Sequence, residues 1–318
     1  MKIENRNYRS HLFGPVPSRR LGRSLGVDLI PRKTCPFDCI YCEVGRTTNK
    51  TVARQEYREE AILAELSDYL RQGPPELDYI TLAGSGEPTL NLGLGRIIRH
   101  IKALTATPVA VLTNGALLYL PAVRDELKNA DLVLPSLDAA REETFRAINR
   151  PLADYPLSRL LEGLKACRRE YAGRIWLEVL LLRGLNDSEA DLEALRLALR
   201  TIRPDKVQLN TAVRPGVEDY VRPLNAEAMA AIAAYLSDGL EVEVVAAGNG
   251  AAGEAMAVND ALLVEMLARR PMTAADLAQV LGLPLPLVRQ RLAQLCETGQ
   301  VTGQPYCDQE FYRQATEV

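Results

Sequence analysis

The chain has 318 residues, of which 47% are hydrophobic, and a formal net charge of −3. A chain of this size can bury a large core and form a main domain together with an accessory one. It contains no run of about 18 apolar residues, which argues against a membrane-spanning helix, and its first residues lack the apolar segment of a signal peptide. We therefore expect a soluble, cytoplasmic protein.

Apolar, β-branched runs alternate with amphipathic stretches between residues 25 and 246. The runs predict strands at Gly26–Ile30, Tyr79–Ala83, Val109–Thr113, Leu132–Ser136, Ile175–Leu181, Lys206–Thr211 and Glu241–Ala246. The amphipathic stretches predict helices at Gln55–Arg71, Leu92–Ala103, Leu157–Tyr171, Ser188–Ile202 and Ala226–Ser237. Such alternation is typical of βαβ units and a parallel sheet, in which reactive groups gather at the carboxyl ends of the strands.

The sequence changes character after residue 246. Small residues at 246–253 predict a linker. Beyond it we predict a hairpin at the end and three helices, at Asn259–Arg269, Thr273–Leu281 and Pro284–Thr298. This order is similar to a winged helix. We therefore assign residues 1–246 to the main domain, with an extension at 1–24, and residues 254–318 to a small winged-helix-like domain.

Three cysteines, Cys35, Cys39 and Cys42, lie close together with the spacing C-x3-C-x2-C. Three thiolates at this spacing can hold three corners of a cubane iron–sulfur cluster and leave one iron open to a ligand. A zinc site normally has a fourth protein ligand, and the only histidines are His11 and His100. Zinc and incidental thiols remain the alternatives.

The other three cysteines lack such spacing. Cys167 and Cys296 lie on amphipathic helices and are predicted to be core residues, whereas Cys307 falls in the terminal hairpin and could be exposed. Six cysteines with three in one short motif do not suggest a disulfide framework. They favour metal ligands in a reducing compartment.

Polar residues lie at or near the ends of the predicted strands. They are Gly84, Gly86, Glu87, Asn114, Ser136, Asp138, Glu178 and Asn210. Glycines let a backbone approach a ligand closely, a carboxylate can accept hydrogen bonds from an ammonium group, and short polar groups suit a bound ribose. Ordinary turns and helix caps are the alternatives, and an inward-facing Glu178 could equally pair with an arginine.

The cysteine motif, followed by a strand that ends in Gly84-Ser85-Gly86-Glu87, resembles the radical S-adenosylmethionine (SAM) superfamily. The resemblance implies an α/β fold, a partial parallel (β/α)6-type barrel, with a [4Fe–4S] cluster on the three cysteines. It implies that SAM binds the open iron and is cleaved to methionine and a 5′-deoxyadenosyl radical. The implied electron donor is a protein such as flavodoxin or ferredoxin.

The same resemblance implies roles for the strand-end residues. Gly84, Gly86 and Glu87 match the motif that binds the methionine amino group, and Ser136 and Asp138 match positions that contact the ribose. The strand that carries Asn210 matches the one that holds adenine. Further segments, at 14–26, 42–48 and 182–187, are similar to a prokaryotic group related to the tRNA wybutosine-pathway enzyme 4-demethylwyosine synthase.

The charge distribution bears on the substrate. Residues 5–54 hold ten Lys/Arg against Asp28, Asp38 and Glu43, which suggests either an anionic ligand or a solvated basic rim. The C-terminal domain is acidic, with only Arg289 and Arg291 on its presumed recognition helix, which fits nucleic acid poorly. We therefore favour a peptide, protein or small-metabolite substrate. A tRNA-modifying enzyme and a non-enzymatic iron–sulfur regulator with a winged helix remain the alternatives.

Overall fold

The structure, a computed structural model, describes residues 11–73, 75–245 and 260–315. The predicted linker at 246–253 lies outside these residues. Within them, no helix is long and apolar enough to cross a membrane.

Strands and helices alternate through most of the first 245 residues. The strands are β1 Leu12–Ser18, β2 Gly22–Val27, β3 Thr34–Cys35, β4 Asn49–Lys50, β5 Tyr79–Leu82, β6 Val109–Thr113, β7 Leu132–Pro135, β8 Arg174–Leu181, β9 Lys206–Thr211 and β10 Val242–Val244. The helices are α1 Glu59–Arg71, α2 Leu94–Leu104, α3 Pro121–Leu127, α4 Glu142–Asn149, α5 Leu157–Glu170, α6 Glu189–Ile202 and α7 Ala226–Leu236, with a short 3-10 helix at Pro88–Leu90.

Eight of these strands form one sheet in the order β1-β2-β5-β6-β7-β8-β9-β10. β1 pairs antiparallel with β2, and all other neighbours are parallel. One face of the sheet is covered by the apolar sides of the helices. In α2, for example, Leu94, Ile97, Ile98 and Ile101 are fully buried, as expected for an apolar stripe on a helix of 3.6 residues per turn.

Alternation along the strands decides which side chains face the other side of the sheet. In β8, Ile175, Leu177 and Val179 are buried against the helices, while Trp176 and Glu178 lie on the opposite, inner face. A small apolar cluster on this inner face comprises Leu21, Ala110, Leu132 and Leu134. Polar side chains are therefore available to the interior that the curved sheet encloses.

The sequence misplaced or missed several elements of this region. β2 runs over Gly22–Val27 rather than Gly26–Ile30, and β1 forms within the predicted N-terminal extension. β1 contains two prolines, which a strand tolerates at the edge of a sheet. The helices α3 and α4 were not predicted, because seven or eight residues give too few turns for a clear helical period.

Residues 260–315, here called the C-terminal segment, have their own apolar cluster. The segment contains α8 Asp260–Arg269, β11 Met272–Thr273, α9 Ala274–Leu281, α10 Leu285–Glu297, β12 Val301–Tyr306 and β13 Gln309–Gln314, with its strands in the order β11-β13-β12. A capping box begins α9: Thr273 Oγ1 accepts from Asp276 N, and the Asp276 carboxylate accepts from Thr273 N.

The C-terminal segment packs against the main sheet and its loops. The buried Tyr306 hydroxyl donates to the carbonyl of Ala212, just beyond β9, at 2.9 Å. At the other edge of the sheet, Arg269 stacks on the Phe13 ring, with 4.9 Å from its Cζ to the ring centroid, and lies 3.8 Å from the Asp28 carboxylate. The segment therefore contacts both edges of the main sheet.

Candidate functional site

The cysteine loop, residues 34–42, follows β2 and is held by aromatic and backbone contacts. Phe37 packs edge-on against Phe145 and Tyr155, with ring centroids 5.4 and 5.5 Å apart. Ile40 N donates to Ile148 O at 2.9 Å. Because Phe145 and Ile148 belong to α4, this short helix fixes the loop at the carboxyl ends of the strands.

Each cysteine sulfur in the loop lies near one nitrogen donor. Asn114 Nδ2 is 3.2 Å from Cys35 Sγ, and Asn149 Nδ2 is 3.5 Å from Cys39 Sγ. Lys33 Nζ is 3.2 Å from Cys42 Sγ. Hydrogen bonds to sulfur stabilise negative charge on a cluster and its ligands.

Burial governs the protonation of two of these thiols. It raises the pKa of Cys39 to about 12, with the nearby Asp138 charge adding to the shift. The pKa of Cys35 is also well above its usual range, first through burial and then through Cys39 and Glu87. Both groups are therefore thiols at neutral pH in the metal-free chain, and metal binding must release their protons.

Three thiols are the donor set of a cubane cluster that keeps one iron open. The three cysteines are half-buried and reduced. Among the residues that the structure describes, no three His, Cys, Asp or Glu side chains are grouped to hold one ion. A cubane has a different requirement, since each cysteine binds a separate iron.

Gly84 and Gly86 allow two loops of the protein to approach each other. A Cβ atom at Gly86 would collide with the carbonyl of Thr34 in the cysteine loop, and one at Gly84 would collide with the Asp28 carboxylate. Gly84 also has a φ of +136°, which side chains rarely adopt. Between them, Ser85 O accepts from Lys33 N at 2.7 Å. Gly86 thus allows contact with the cysteine loop, and Gly84 allows contact with Asp28, just after β2.

Glu87 is almost fully enclosed, at 2% exposure, and both carboxylate oxygens are occupied by protein donors. Oε1 accepts from Thr89 N, Thr89 Oγ1 and Thr113 Oγ1, and Oε2 accepts from Asn114 N at 2.7 Å. Burial raises the pKa of Glu87, and these hydrogen bonds oppose the rise. Glu87 thus ties the 3-10 helix to Asn114, and its binding of an ammonium group stays a prediction.

Asp138 is likewise surrounded by donors. Its carboxylate accepts from the Tyr41 hydroxyl, from Asn149 Nδ2 at 2.8 Å and from Leu180 N at 3.0 Å. Burial raises its pKa to about 6 against the effect of these hydrogen bonds. Ser136 is half-buried beside it, at the bridge between β7 and β8. Asp138 therefore connects the cysteine loop to β8, with Ser136 at the same strand end.

Glu178 and Asn210 lie deeper on the inner face. The Glu178 carboxylate forms an ion pair with Arg20 and accepts from Asn210 Nδ2 at 3.2 Å. The alternative prediction, that Glu178 pairs with an arginine, is thus confirmed.

We call the cysteine loop together with Glu87, Asn114, Asp138 and Asn149 the strand-end site. Of this site the sequence analysis named the three cysteines, Glu87, Asn114 and Asp138. It did not predict Asn149 or the neighbouring Lys33 as sulfur donors, or Tyr41 as a partner of Asp138. Asn149 ends α4, an element that the sequence pattern missed. Lys33 has a φ of 60°, a backbone conformation that is unusual for lysine. The sequence pattern gives no sign of this conformation.

With this geometry established, comparison with known proteins identifies the class. A sequence model of the radical SAM superfamily matches residues 29–196, more than half of the chain. The chain therefore belongs to the radical SAM superfamily, whose members are enzymes that use a [4Fe–4S] cluster and SAM and need an electron donor. The predicted resemblance and cofactors are confirmed at this level.

Within the superfamily, the chain belongs with the UPF0026 proteins. One from Methanocaldococcus jannaschii is 38% identical over 71% of this chain and 71% of its own length. One from Helicobacter pylori is 32% identical over 95% of this chain and 96% of its own. A Brachyspira hyodysenteriae protein called GTPase Obg is 38% identical over 94% of this chain, but the chain spans only 44% of that protein's length.

Solved structures support the fold. A radical SAM methyltransferase from Sphaerobacter thermophilus has a TM-score of 0.56 and 21% identity, over 70% of this chain and 65% of that one. SuiB of Streptococcus suis, bound to SAM, has a TM-score of 0.50 and 11% identity, over 69% of this chain and 47% of that one. The predicted α/β class with a partial parallel barrel is confirmed.

Proposed function

We propose that Cys35, Cys39 and Cys42 hold a [4Fe–4S] cluster with one open iron, and that the protein uses it to modify a peptide, protein or small metabolite. The observation that carries this proposal is the set of three half-buried thiols, each with its own nitrogen donor, at the carboxyl ends of parallel strands. When bound, the cluster supplies the electron that cleaves SAM to methionine and a 5′-deoxyadenosyl radical.

The chain's own residues fix the cluster's surroundings. Asn114, Asn149 and Lys33 donate to the sulfurs, which favours the reduced, more negative state of a cluster. Glu87 fixes the backbone of Asn114, and Asp138 fixes Asn149. The proposed SAM-binding positions remain Gly84, Gly86, Glu87, Asn114, Ser136, Asp138, Glu178 and Asn210.

The C-terminal segment supports a substrate other than nucleic acid. Its order of helices and strands is the basis for proposing a winged helix. Between the β12–β13 turn and the loop after β9 lies a cleft of about 860 Å³. It is lined by Glu218, Asp219, Asp308, Glu310 and a single arginine, Arg222. Such a lining repels phosphodiesters, so tRNA modification stands as the second candidate and an iron–sulfur regulator as the third.

SAM cleavage tests the proposal directly. Anaerobically reconstituted protein should bind about four irons and, with dithionite, convert SAM to methionine and 5′-deoxyadenosine. Replacing Cys35, Cys39 or Cys42 by Ala should abolish both. The matched control is Cys307→Ala, an exposed cysteine in the β12–β13 turn, which should keep both. Stoichiometric zinc without iron–sulfur absorption would contradict the proposal.

The substrate class is tested by nucleic-acid binding. The full chain should show no steeply salt-dependent binding of bulk tRNA at physiological ionic strength, because its net charge is −3 and Asp and Glu outnumber Lys and Arg in its C-terminal segment. Micromolar binding with a steep salt slope would favour the tRNA alternative. Normal iron content without SAM cleavage under any reductant would favour the regulator.

A further inference from the structure

Four arginines surround Glu43, the residue that follows the last cysteine of the motif. They come from three separate parts of the chain: Arg19 and Arg20 from the turn between β1 and β2, Arg214 from the loop after β9, and Arg270 from the end of α8. The charges of all four act on Glu43, and Arg214 lies 3.5 Å from its carboxylate. We call these four side chains the arginine group.

Two guanidinium nitrogens in the arginine group are fully enclosed without a hydrogen-bond partner. They are Arg19 Nη1 and Arg214 Nε. Arg214 has only long ion pairs, 3.5 Å to Glu43 and 3.8 Å to Asp276. An enclosed donor without a partner is unfavourable, and more so when it is charged. Such a donor therefore marks a position at which a ligand atom is expected.

The nearby carboxylates cannot balance the arginine group alone. Glu178 is engaged by Arg20 and Asn210, and Asp276 accepts from Thr273 N as part of the capping box of α9. Glu43 is thus left to face Arg19, Arg214 and Arg270. Burial first, and then the neighbouring Arg214, lower the pKa of both Arg19 and Arg270.

We propose that the arginine group binds an oxyanion of the substrate, a phosphate or a carboxylate carried by a small molecule, beside the cysteine loop. The inference rests on the proposed function for its assignment to substrate. Guanidinium groups match such oxyanions because they present paired donors in a fixed plane. The Glu43 side chain is 31% exposed and that of Arg214 is 12% exposed, so solvent reaches the Glu43 side of the arginine group.

The position of the arginine group explains why its site needs both parts of the protein. Arg19 follows the edge strand β1, Arg214 follows β9, the strand next to the other edge, and Arg270 belongs to the C-terminal segment. An oxyanion held by all three would lie at the junction of these parts. Its binding would strengthen their association, because a ligand that binds only the folded arrangement stabilises it.

Calorimetry on the reconstituted holoprotein tests the site, with inorganic phosphate and malonate as the two probes at constant ionic strength. Preference for one probe distinguishes a phosphate from a carboxylate substrate. Arg19→Gln and Arg214→Gln should each weaken binding of the preferred probe by roughly tenfold or more, as loss of a charged hydrogen bond does. Arg200→Gln, the same charge change on an exposed arginine of α6, should bind as the wild type does.

Thermal unfolding gives a second readout that does not depend on the probe's affinity. Without phosphate or malonate, Arg19→Gln should unfold at the same or a higher temperature than wild type, because an unpaired cation has been removed. A clear loss of stability in Arg19→Gln, or failure to fold, would show that Arg19 has partners of its own and would overturn the proposal.

The two proposals fail in different ways. Wild-type protein that cleaves SAM but binds neither phosphate nor malonate would overturn the arginine site and leave the proposed function intact. Wild-type protein that binds phosphate through Arg19 and Arg214 but never cleaves SAM would overturn the proposed function, and the anion site would stand. Equal probe affinity in wild type and both variants would also overturn the arginine site.

Discussion

The strand-end site and the arginine group lie next to each other along the chain, since Glu43 follows Cys42, yet they differ in how their polar groups are satisfied. Among the described residues, the strand-end site has no enclosed side-chain nitrogen or oxygen without a partner, whereas the arginine group has two. In the first, carboxylates meet amide and hydroxyl donors. In the arginine group, the guanidinium groups outnumber the carboxylates that are available to pair with them.

The difference indicates in which region the protein's own groups satisfy all polar side chains and in which region a ligand is needed to do so. Satisfied hydrogen bonds hold a polar network in one arrangement, while an unsatisfied charged donor favours any ligand that can accept from it. We therefore expect substitutions in the strand-end site to lower stability, and equivalent charge removals in the arginine group to leave it unchanged or raise it. The predictions below test that contrast.

The largest expected effect is the pH dependence of stability due to Asp138. Its pKa of about 6 in the folded protein is higher than the value of about 3.9 for an exposed aspartate. The folded state therefore holds this proton more tightly, so the contribution is fully present below about pH 4 and is lost as pH rises through 6. The loss is roughly 3 kcal/mol.

The measurement is urea unfolding of the metal-free protein between pH 4 and 7.5. Asp138→Asn cannot titrate, so the free energy of unfolding of wild type minus that of the variant should fall by about 3 kcal/mol over this range. A difference that stays constant with pH would show that Asp138 has an ordinary pKa.

Glu87→Gln should have the next largest effect. The glutamine amide must direct an N–H toward one of the donors that now bind the carboxylate. A donor left unpaired in a buried site costs about 1–3 kcal/mol of unfolding free energy. The measurement is the urea midpoint at pH 7, compared with Arg19→Gln, for which no loss is expected. Equal losses in the two variants would remove the contrast between the two regions.

Asn114→Ala should lower the reduction potential of the reconstituted cluster. It removes the donor to Cys35, and a hydrogen bond of roughly 0.5–1.5 kcal/mol corresponds to at most roughly 60 mV for one electron. EPR-monitored redox titration gives the potential. Asn225→Ala, which removes the N-cap of the distant α7, is the control and should leave the potential unchanged. A higher or unchanged potential in Asn114→Ala would contradict the role of the sulfur donors.

Tyr306→Phe should have the smallest effect on stability. Tyr306 belongs to the C-terminal segment, which contributes Arg270 to the arginine group. It leaves the Ala212 carbonyl without the hydroxyl that now donates to it, at a cost of about 0.5–1.5 kcal/mol. Thermal unfolding measures the change. Tyr312→Phe is the matched control because its hydroxyl contacts only Glu310 within the same hairpin, and it should be close to neutral. Equal effects would mean that the contact contributes nothing to association of the two parts.

The sequence predicted the parallel strands well where their signal was local. The observed β6 and β9 have the predicted bounds, Val109–Thr113 and Lys206–Thr211, because short apolar runs end there in polar residues. The helix predicted at Ser188–Ile202 also matches α6, whose N-cap is Ser188, with its hydroxyl accepting from Asp191 N. The edge strand β1 was missed because Pro15 and Pro17 are unusual in strands, and only its pairing with β2 makes it one.

The sequence indicated the three cysteines of the candidate site but not the residues that hold them in place. The spacing of the cysteines pointed to a cluster, since it concerns neighbours in sequence. The donor to Cys39, Asn149, lies 110 residues away along the chain, so only the tertiary fold brings the two together. The same holds for Glu87, whose carboxylate looked free in sequence and is enclosed by donors from the next strand end.

The packing of Phe37 bears on what happens to the cysteine loop when a cluster is lost. Zinc fingers are unfolded until metal arrives, because nothing else holds their ligands. Here Phe37 of the cysteine loop packs against Phe145 and Tyr155, contacts that do not involve the cysteine sulfurs. We therefore expect the loop to keep its conformation when a cluster is lost to oxygen, so that a cluster could be rebuilt there without refolding of the chain.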